Sequence, residues 1–136
     1  MRVLIADDQR SVGTSLASLV EQCGHEVVEV VSSGLEAIHA YTRHQPEVVL
    51  MDYWMPRLNG ATACRNILSR DAKARIILIS GTELTQELVD SGAVAILKKP
   101  VTLDQIYAAL YAAGSPQEPA LRDKEKTDAT APETSE

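Results

Sequence analysis

Polar residues that can do chemistry follow four short apolar runs of the sequence. Asp7 and Asp8 come after VLIA, Asp52 after VVLM, Ser80 after IILI, and Lys99 soon after AVAIL. Three carboxylates that meet in one place repel one another, and a hard divalent cation such as Mg²⁺, which prefers oxygen ligands, would relieve that repulsion. An ammonium and a hydroxyl beside the cation could bind a second anion. Such a set stabilises a transferring phosphoryl group, and a carboxylate within it could accept that group covalently.

The elements that must bring these residues together are five apolar segments separated by helical patterns. The segments are rich in aliphatic or β-branched residues, and we predict strands at 3–6, 27–31, 48–51, 76–79 and 93–97. Continuous apolar runs are typical of strands buried on both faces, and their alternation with helices predicts a parallel α/β sheet covered on both faces. The carboxyl ends of parallel strands share one edge, which is where such sheets bind ligands.

Helix boundaries are indicated by caps and by glycine or proline. The spacings at 33–36 and 102–105 predict capping boxes at the starts of the second and last helices. A short fourth helix that ends at Gly92 is predicted to carry Leu84, Leu88 and Val89. The apolar face of the last helix is predicted to consist of Leu103, Ile106, Leu110 and Ala113.

The composition argues against several classes of protein. The 136 residues include 13 basic and 19 acidic side chains, a net charge of −6, which disfavours a nucleic-acid-binding surface. No apolar run approaches the roughly 20 residues that span a bilayer, and acidic residues interrupt the N-terminus too early for a signal peptide. Cys23 and Cys64 are too few for a disulfide framework or a zinc site and are interpreted as core residues. We therefore predict a cytoplasmic protein that binds neither nucleic acid nor membrane.

The composition changes after Gly114. Residues 1–114 have the length and apolar content of one domain, whereas residues 115–136 contain three prolines and one large apolar side chain, Leu121. A segment of that kind cannot bury enough apolar surface to offset the entropy of ordering it. We predict a domain at 1–114 followed by a disordered polar tail or linker at 115–136.

At four places the sequence resembles the receiver domain of bacterial two-component response regulators, the CheY-like family. The matching segments are VLIADD around Asp7 and Asp8, VVLMDYWMPRLNG around Asp52, IILISG around Ser80, and ILKKP at the end of the fifth strand. The resemblance implies a doubly wound, flavodoxin-like sheet of five parallel strands in the order 2-1-3-4-5, with helices on both faces.

The resemblance also implies roles for the residues at the strand ends. Asp52 would be the phosphoacceptor, taking a phosphoryl group from the phosphohistidine of a partner. Mg²⁺ would be bound by Asp7, Asp8, Asp52 and the backbone carbonyl of Trp54. Lys99 would contact the phosphoryl oxygens.

The conformational switch is where the sequence departs from the family. Ser80 would hydrogen-bond the phosphoryl oxygen once it arrives and would draw in the loop after the fourth strand. The family usually has Tyr or Phe three residues before the lysine, but this chain has Ile96, which has neither a ring nor a hydroxyl. The bond from Lys99 to Pro100 is a candidate for the cis form, and Lys98 would take no part.

The implied function is that of a phosphorylation-controlled signalling module, with no catalysis beyond its own phosphorylation and slow autodephosphorylation. A sensor histidine kinase or a phosphotransfer protein would supply the phosphoryl group, and a downstream protein target would bind the modified form. We expect no DNA-binding output domain in this chain. Tyr107 and Tyr111, four residues apart on the last helix, could belong to a partner surface or a homodimer surface.

Other functions use parts of the same pattern. A pseudo-receiver would bind partners without phosphorylation, and Ile96 leaves room for it, although the acids and Lys99 argue against it. A Mg²⁺-dependent phosphohydrolase of the haloacid dehalogenase type needs a second acid two residues after its nucleophile, where this chain has Trp54. A flavin carrier is disfavoured because Asp7 and Asp8 would repel the phosphate of the cofactor.

Overall fold

The structure, a computed structural model, describes residues 1–114, so the tail predicted at 115–136 lies outside the described residues. The strands are β1 (Arg2–Ala6), β2 (Glu26–Val31), β3 (Val48–Asp52), β4 (Ile76–Ser80) and β5 (Ala95–Lys98). The helices are α1 (Arg10–Gln22), α2 (Gly34–His44), α3 (Gly60–Arg70), α4 (Gln86–Val89) and α5 (Leu103–Gly114). All strand pairs are parallel and the order is β2-β1-β3-β4-β5, which confirms the predicted fold class.

The sheet lies between two apolar cores because successive residues of its strands point to opposite faces. Leu4 packs with α2, α3 and α4 on one face, whereas Val3 and Ile5 pack with α1 and α5 on the other. β3 and β4 are buried along their whole length, as their apolar runs predict. The edge strands β2 and β5 are mostly half-buried, so the burial on both faces predicted for every strand holds for the central strands.

The predicted capping box at α5 is present, whereas at α2 the Glu36 side chain reaches the amide of Ser32, one residue before the cap residue Ser33. At the start of α2, the Ser33 hydroxyl accepts a hydrogen bond from the Glu36 amide at 3.1 Å, and the Glu36 carboxylate accepts one from the Ser32 amide. At the start of α5, Thr102 and Gln105 bond to each other's amides at 2.9 and 3.2 Å. These contacts satisfy helix N–H groups that have no partner within the helix.

The fourth helix is shorter than predicted. The Thr85 hydroxyl accepts a hydrogen bond from the Leu88 amide at 3.2 Å and fixes the start of α4 directly after Thr85. Leu84 therefore lies in the preceding loop, where it is 63% exposed, and Val89 is also exposed. Leu88 is the buried residue of this helix.

The fifth strand and helix also differ from the prediction in detail. β5 begins at Ala95, two residues later than predicted, after a turn in which Gly92 takes a left-handed φ of +87°, although the Val94 amide already donates to the Ile76 carbonyl oxygen of β4 at 2.8 Å. Leu103 is exposed because it lies in the first turn of α5, ahead of the part that covers the sheet. The rest of the predicted face is buried, namely Ile106, Leu110 and Ala113.

Cys64 lies in α3, and Cys23 is the residue directly after α1. Cys64 is fully buried, and this burial raises the pKa of its thiol to about 12, whereas Cys23 is partly buried against the α1–α5 core. Neither forms a disulfide. Within residues 1–114, none of the helices combines the length and the apolar character needed to span a membrane.

Candidate functional site

Four strand ends bring the predicted residues to one edge of the sheet. Asp7 directly follows β1, Asp52 ends β3, Ser80 ends β4, and Lys99 directly follows β5. A main-chain hydrogen bond from the Lys99 amide to the Ser80 carbonyl oxygen, 2.9 Å long, carries the strand pairing into this region. β1 neighbours both β2 and β3, so the acids of β1 and β3 lie where the strand order reverses, the usual ligand site of such sheets.

Three carboxylates form the acidic part of the site. One carboxylate oxygen each from Asp7, Asp8 and Asp52 lie within 4.8 Å of one another. Asp7 and Asp52 are buried and Asp8 is exposed. Asp7 Oδ1 accepts a hydrogen bond from the Gln9 amide at 2.9 Å, but the buried Oδ2 of Asp7 has no hydrogen-bond partner in the described part of the chain. Buried acceptors are rarely left unpaired, and a hard cation would satisfy this one.

Lys99 provides the positive charge of the site. Its Nζ lies 2.9 Å from Asp52 Oδ1 and 3.7 Å from Asp7 Oδ2. Burial raises the pKa of Asp52, with the nearby charges of Asp7 and Asp8 adding to that rise and the Lys99 contact opposing it. Partial burial alone would lower the pKa of Lys99, but the hydrogen bond and charge of Asp52, with the other two acids, raise it. The Lys99–Pro100 peptide bond is cis.

Ser80 is buried, and its hydroxyl is engaged with the loop that follows β4. Its Oγ accepts a hydrogen bond from the Thr82 amide at 3.0 Å and shares another with the Thr82 hydroxyl, also at 3.0 Å. This contact closes a tight turn of the kind that Ser and Thr side chains form with the backbone two residues on. The hydroxyl that the sequence predicts for the phosphoryl group is therefore bound to its own loop in this structure.

Three other residues from the sequence prediction lie around this centre. Lys98 points to solvent and pairs with Glu83 at 3.0 Å, away from the acids. The Trp54 side chain is 70% exposed. Ile96 is half-buried on β5 and packs against the core that contains α2, α3 and α4.

Sequence reasoning missed a polar cluster beside the site. Tyr53, the residue after Asp52, donates a hydrogen bond from its hydroxyl to Glu87 Oε1 at 2.6 Å. The other Glu87 oxygen accepts from Asn59 Nδ2 at 3.2 Å and lies 3.7 Å from an Arg65 nitrogen. The residues are 22 to 34 positions from Glu87 in the sequence, so no local spacing signals the contact. Hydrogen bonds from Tyr53 and Asn59 lower the pKa of Glu87.

Gly60 determines how closely α3 approaches the end of β3. A Cβ at this position would overlap the backbone carbonyl oxygen of Asp52 and lie 3.0 Å from the Tyr53 Cα. The Gly60 amide donates to the Tyr53 carbonyl oxygen at 2.7 Å. The absence of a side chain at residue 60 therefore lets the start of α3 pack on the backbone of the site.

We expect Gly60→Ala to lower the free energy of unfolding by about 1–3 kcal/mol, the usual cost of overpacking, because backbone atoms cannot rotate away. The measurement is urea denaturation of both proteins. Gly81→Ala is the matched control, since a Cβ there meets nothing within 4 Å, and it should change the midpoint little. Equal midpoints for Gly60→Ala and the parent protein would contradict the proposed close approach.

Comparison with known proteins identifies the family of this chain. Residues 3–111 match the family model described as response regulator receiver domain. The chain is 33% identical over 112 residues to the chemotaxis protein CheY of Bacillus subtilis, covering 80% of this chain and 93% of CheY. It is 34% identical over 116 residues to the transcriptional regulatory protein PdtaR of Mycobacterium tuberculosis, covering 84% of this chain and 57% of PdtaR. The chain thus spans little more than half of PdtaR.

Comparison with solved structures identifies the same family. The signal receiver domain of NarL from Mycobacterium tuberculosis is 28% identical, superposes with a TM-score of 0.78, and the match covers 85% of this chain and 97% of that one. A chain of the CheX–CheY–BeF₃–Mg²⁺ complex from Borrelia burgdorferi is 26% identical with a TM-score of 0.80, covering 85% and 90%. The chain therefore belongs to the response regulator receiver domain family of two-component signalling proteins.

Proposed function

We propose that this receiver domain is a phosphorylation-controlled signalling module in which Asp52 accepts the phosphoryl group. The observation that supports the proposal most strongly is the 2.9 Å contact between Lys99 Nζ and Asp52 Oδ1, next to two further carboxylates. An ammonium this close to the nucleophile is in reach of the oxygens of a group attached to Asp52, and it acts there with little reorganisation.

Mg²⁺ is the cation that we propose for the three acids. Asp7, Asp8, Asp52 and the backbone carbonyl of Trp54 would hold it, an all-oxygen set of the kind that Mg²⁺ prefers. The buried Oδ2 of Asp7, which has no hydrogen-bond partner in the described part of the chain, supports this fit. Bound there, the ion would neutralise the negative charge on a transferring phosphoryl group.

The proposed reaction moves a phosphoryl group from a phosphohistidine nitrogen to a carboxylate oxygen of Asp52. The P–N bond breaks with its electron pair left on the imidazole, and the new P–O bond makes an acyl phosphate. A sensor histidine kinase or a phosphotransfer protein is the proposed donor. The Ser80 hydroxyl would then exchange its bond with Thr82 for one to a phosphoryl oxygen, which would shift segment 81–85 and change the population of a pre-existing conformation.

The phosphorylated form is proposed to bind a downstream protein in the cytoplasm. Tyr107 and Tyr111 offer apolar area for such a contact, because both are exposed on α5 and their rings stack with centroids 6.4 Å apart. A homodimer through α5 stays a prediction on the same grounds.

The alternatives find less support around Asp52. A phosphohydrolase needs a general acid two residues after its nucleophile, and Trp54 at that position carries an indole with no titratable proton in the working range. A pseudo-receiver needs neither the acids nor a lysine in contact with them, whereas Lys99 touches both Asp52 and Asp7.

Incubation of the protein with Mg²⁺ and acetyl phosphate tests the proposal. We expect the intact mass to rise by a single phosphoryl group, because acetate can leave from phosphorus just as imidazole does. With p-nitrophenyl phosphate we expect almost no turnover. Steady release of p-nitrophenol would favour the phosphohydrolase, and the absence of any phosphoryl adduct under both conditions would favour the pseudo-receiver.

A further inference from the structure

The polar cluster beside the site holds α4 in place. We call Tyr53, Asn59, Arg65 and Glu87 the α4 clamp, because the first three lie on or before α3 and all contact the Glu87 carboxylate of α4. The shortest contact is the hydrogen bond from the Tyr53 hydroxyl at 2.6 Å. Hydrogen bonds to an ionised carboxylate are stronger than those between neutral groups, so this bond is the main polar link between α4 and the acceptor strand.

The helix has few other attachments. α4 contains four residues, of which Leu88 is buried. Residues 81–85, which connect it to β4, are all exposed. A cavity of about 230 Å³ lies next to this connection, lined by Ser80, Thr82, Leu84, Leu88 and Ile96 among others. Residues 81–85 therefore have room to move, and the clamp restrains α4, the helix that follows them.

Tyr53 is itself firmly held. Its amide donates to the Ile79 carbonyl oxygen at 2.7 Å, and its own carbonyl oxygen accepts from the Gly60 amide at 2.7 Å. The main chain of Tyr53 is therefore fixed, and we expect a shift of segment 81–85 toward Asp52 to be taken up by Glu87 and α4. On β5, Ile96 packs against the same core but has no polar group that could replace the Tyr53–Glu87 link.

We infer, on the basis of the proposed function, that Tyr53 is a positioning residue that holds α4 through Glu87 and that this bond opens when Asp52 is phosphorylated. Ser80 begins the movement by releasing Thr82, and the clamp opposes it. The clamp therefore favours the unphosphorylated conformation. Because coupling between two sites is reciprocal, loss of the clamp should loosen α4 and bring its conformation closer to that of the phosphorylated protein.

Hydrogen exchange of Tyr53→Phe tests this inference. The reporters are the Leu88, Val89 and Asp90 amides, which bond to Thr85 and Gln86 when α4 is formed. We expect these amides to exchange about tenfold faster in unphosphorylated Tyr53→Phe than in the parent protein, a factor in line with loss of a single hydrogen bond. Phosphorylation with acetyl phosphate and Mg²⁺ should accelerate them in the parent protein and add little in the variant.

Tyr41→Phe is the matched control. The Tyr41 hydroxyl also donates to a carboxylate, that of Asp71, at 2.8 Å, but between α2 and the end of α3. This variant should keep the parental exchange of α4 in both forms. Glu87→Gln provides a second test of the clamp, because it keeps the shape of the side chain but removes its charge, and it should shift the exchange in the same direction as Tyr53→Phe.

The outcomes separate this inference from the proposed function. Parental exchange in unphosphorylated Tyr53→Phe, or a full phosphorylation response in that variant, overturns the role of the clamp while the measured phosphoryl mass still supports Asp52. A parent protein that gains no phosphoryl mass overturns the proposed function and the switch together. Faster exchange in both clamp variants, with little further response to phosphorylation, supports the inference.

Discussion

Asp52→Asn abolishes the gain of a phosphoryl group from acetyl phosphate and Mg²⁺. Asparagine keeps the size of the side chain and an oxygen that can accept from Lys99, which lies 2.9 Å from Asp52 Oδ1. An amide oxygen is not a nucleophile for phosphorus at neutral pH, so the loss should be complete. Intact-mass spectrometry of both proteins after the same incubation gives the result.

The loss should not arise from unfolding. Burial raises the pKa of Asp52, which means that the folded protein disfavours the charged form of this carboxylate. A neutral amide should therefore leave the protein at least as stable as the parent in the absence of Mg²⁺, and thermal unfolding is the control. An Asp52→Asn protein that still gains the phosphoryl mass would show that another residue is the acceptor.

Asp8→Ala should weaken Mg²⁺ binding by roughly 100-fold: two unit charges about 4 Å apart near a protein surface interact by about 4 kcal/mol, about 1000-fold, and solvent screening at the exposed Asp8 reduces that factor. Asp8 is exposed and belongs to the group of three carboxylates, so its removal changes the charge of the site more than the packing. Titration calorimetry with Mg²⁺ measures the effect. Phosphorylation by acetyl phosphate should fall in parallel, as it should for the parent protein in EDTA.

Asp104→Ala is the matched control for this variant, because Asp104 is also an exposed aspartate but lies in the first turn of α5. It removes the same charge without touching the three acids. We expect its Mg²⁺ affinity to equal that of the parent. Unchanged affinity in Asp8→Ala, or an equal loss in both variants, would contradict the assignment of Asp8 as a ligand.

The architecture could be predicted because its strongest signals are local. Runs such as VLIA and VVLM are continuous, apolar and short, which is typical of strands covered on both faces. The order of the strands came from the resemblance, since the periodicity of the sequence contains no information on which strands are neighbours. The burial of the edge strands was predicted least well, because β2 and β5 each have a neighbouring strand on one side and are mostly half-buried.

The close approach of the four charged side chains could also be predicted, because parallel strands bring their carboxyl ends to one edge. These side chains are Asp7, Asp8, Asp52 and Lys99. The contacts of Ser80 with Thr82 and of Tyr53 with Glu87 could not be predicted. The former depends on the exact path of an exposed loop, and the latter joins residues 34 positions apart across a helix of four residues. The prediction of Leu84 within the fourth helix is wrong because apolar spacing does not mark Thr85, whose hydroxyl sets the start of α4.

Ile96 shows where a resemblance and a structure give different information. The family pattern predicts an aromatic switch residue there. Because this chain lacks that aromatic residue, the sequence does not indicate how a signal would reach α4. The structure has an aromatic hydroxyl in contact with α4, but it comes from Tyr53, directly after β3. This is why the clamp variants are informative about regulation and the Asp52 and Asp8 variants about chemistry.

The central claim is that the buried carboxylate beside Lys99 becomes an acyl phosphate when the acidic site holds Mg²⁺. Reduction with borohydride converts the acyl phosphate of aspartate into homoserine, which peptide mass spectrometry can locate in the sequence. We predict homoserine at position 52 alone, and only after incubation with both acetyl phosphate and Mg²⁺. Homoserine at position 7 or 8, or at no position in a protein that remains folded, would contradict the account.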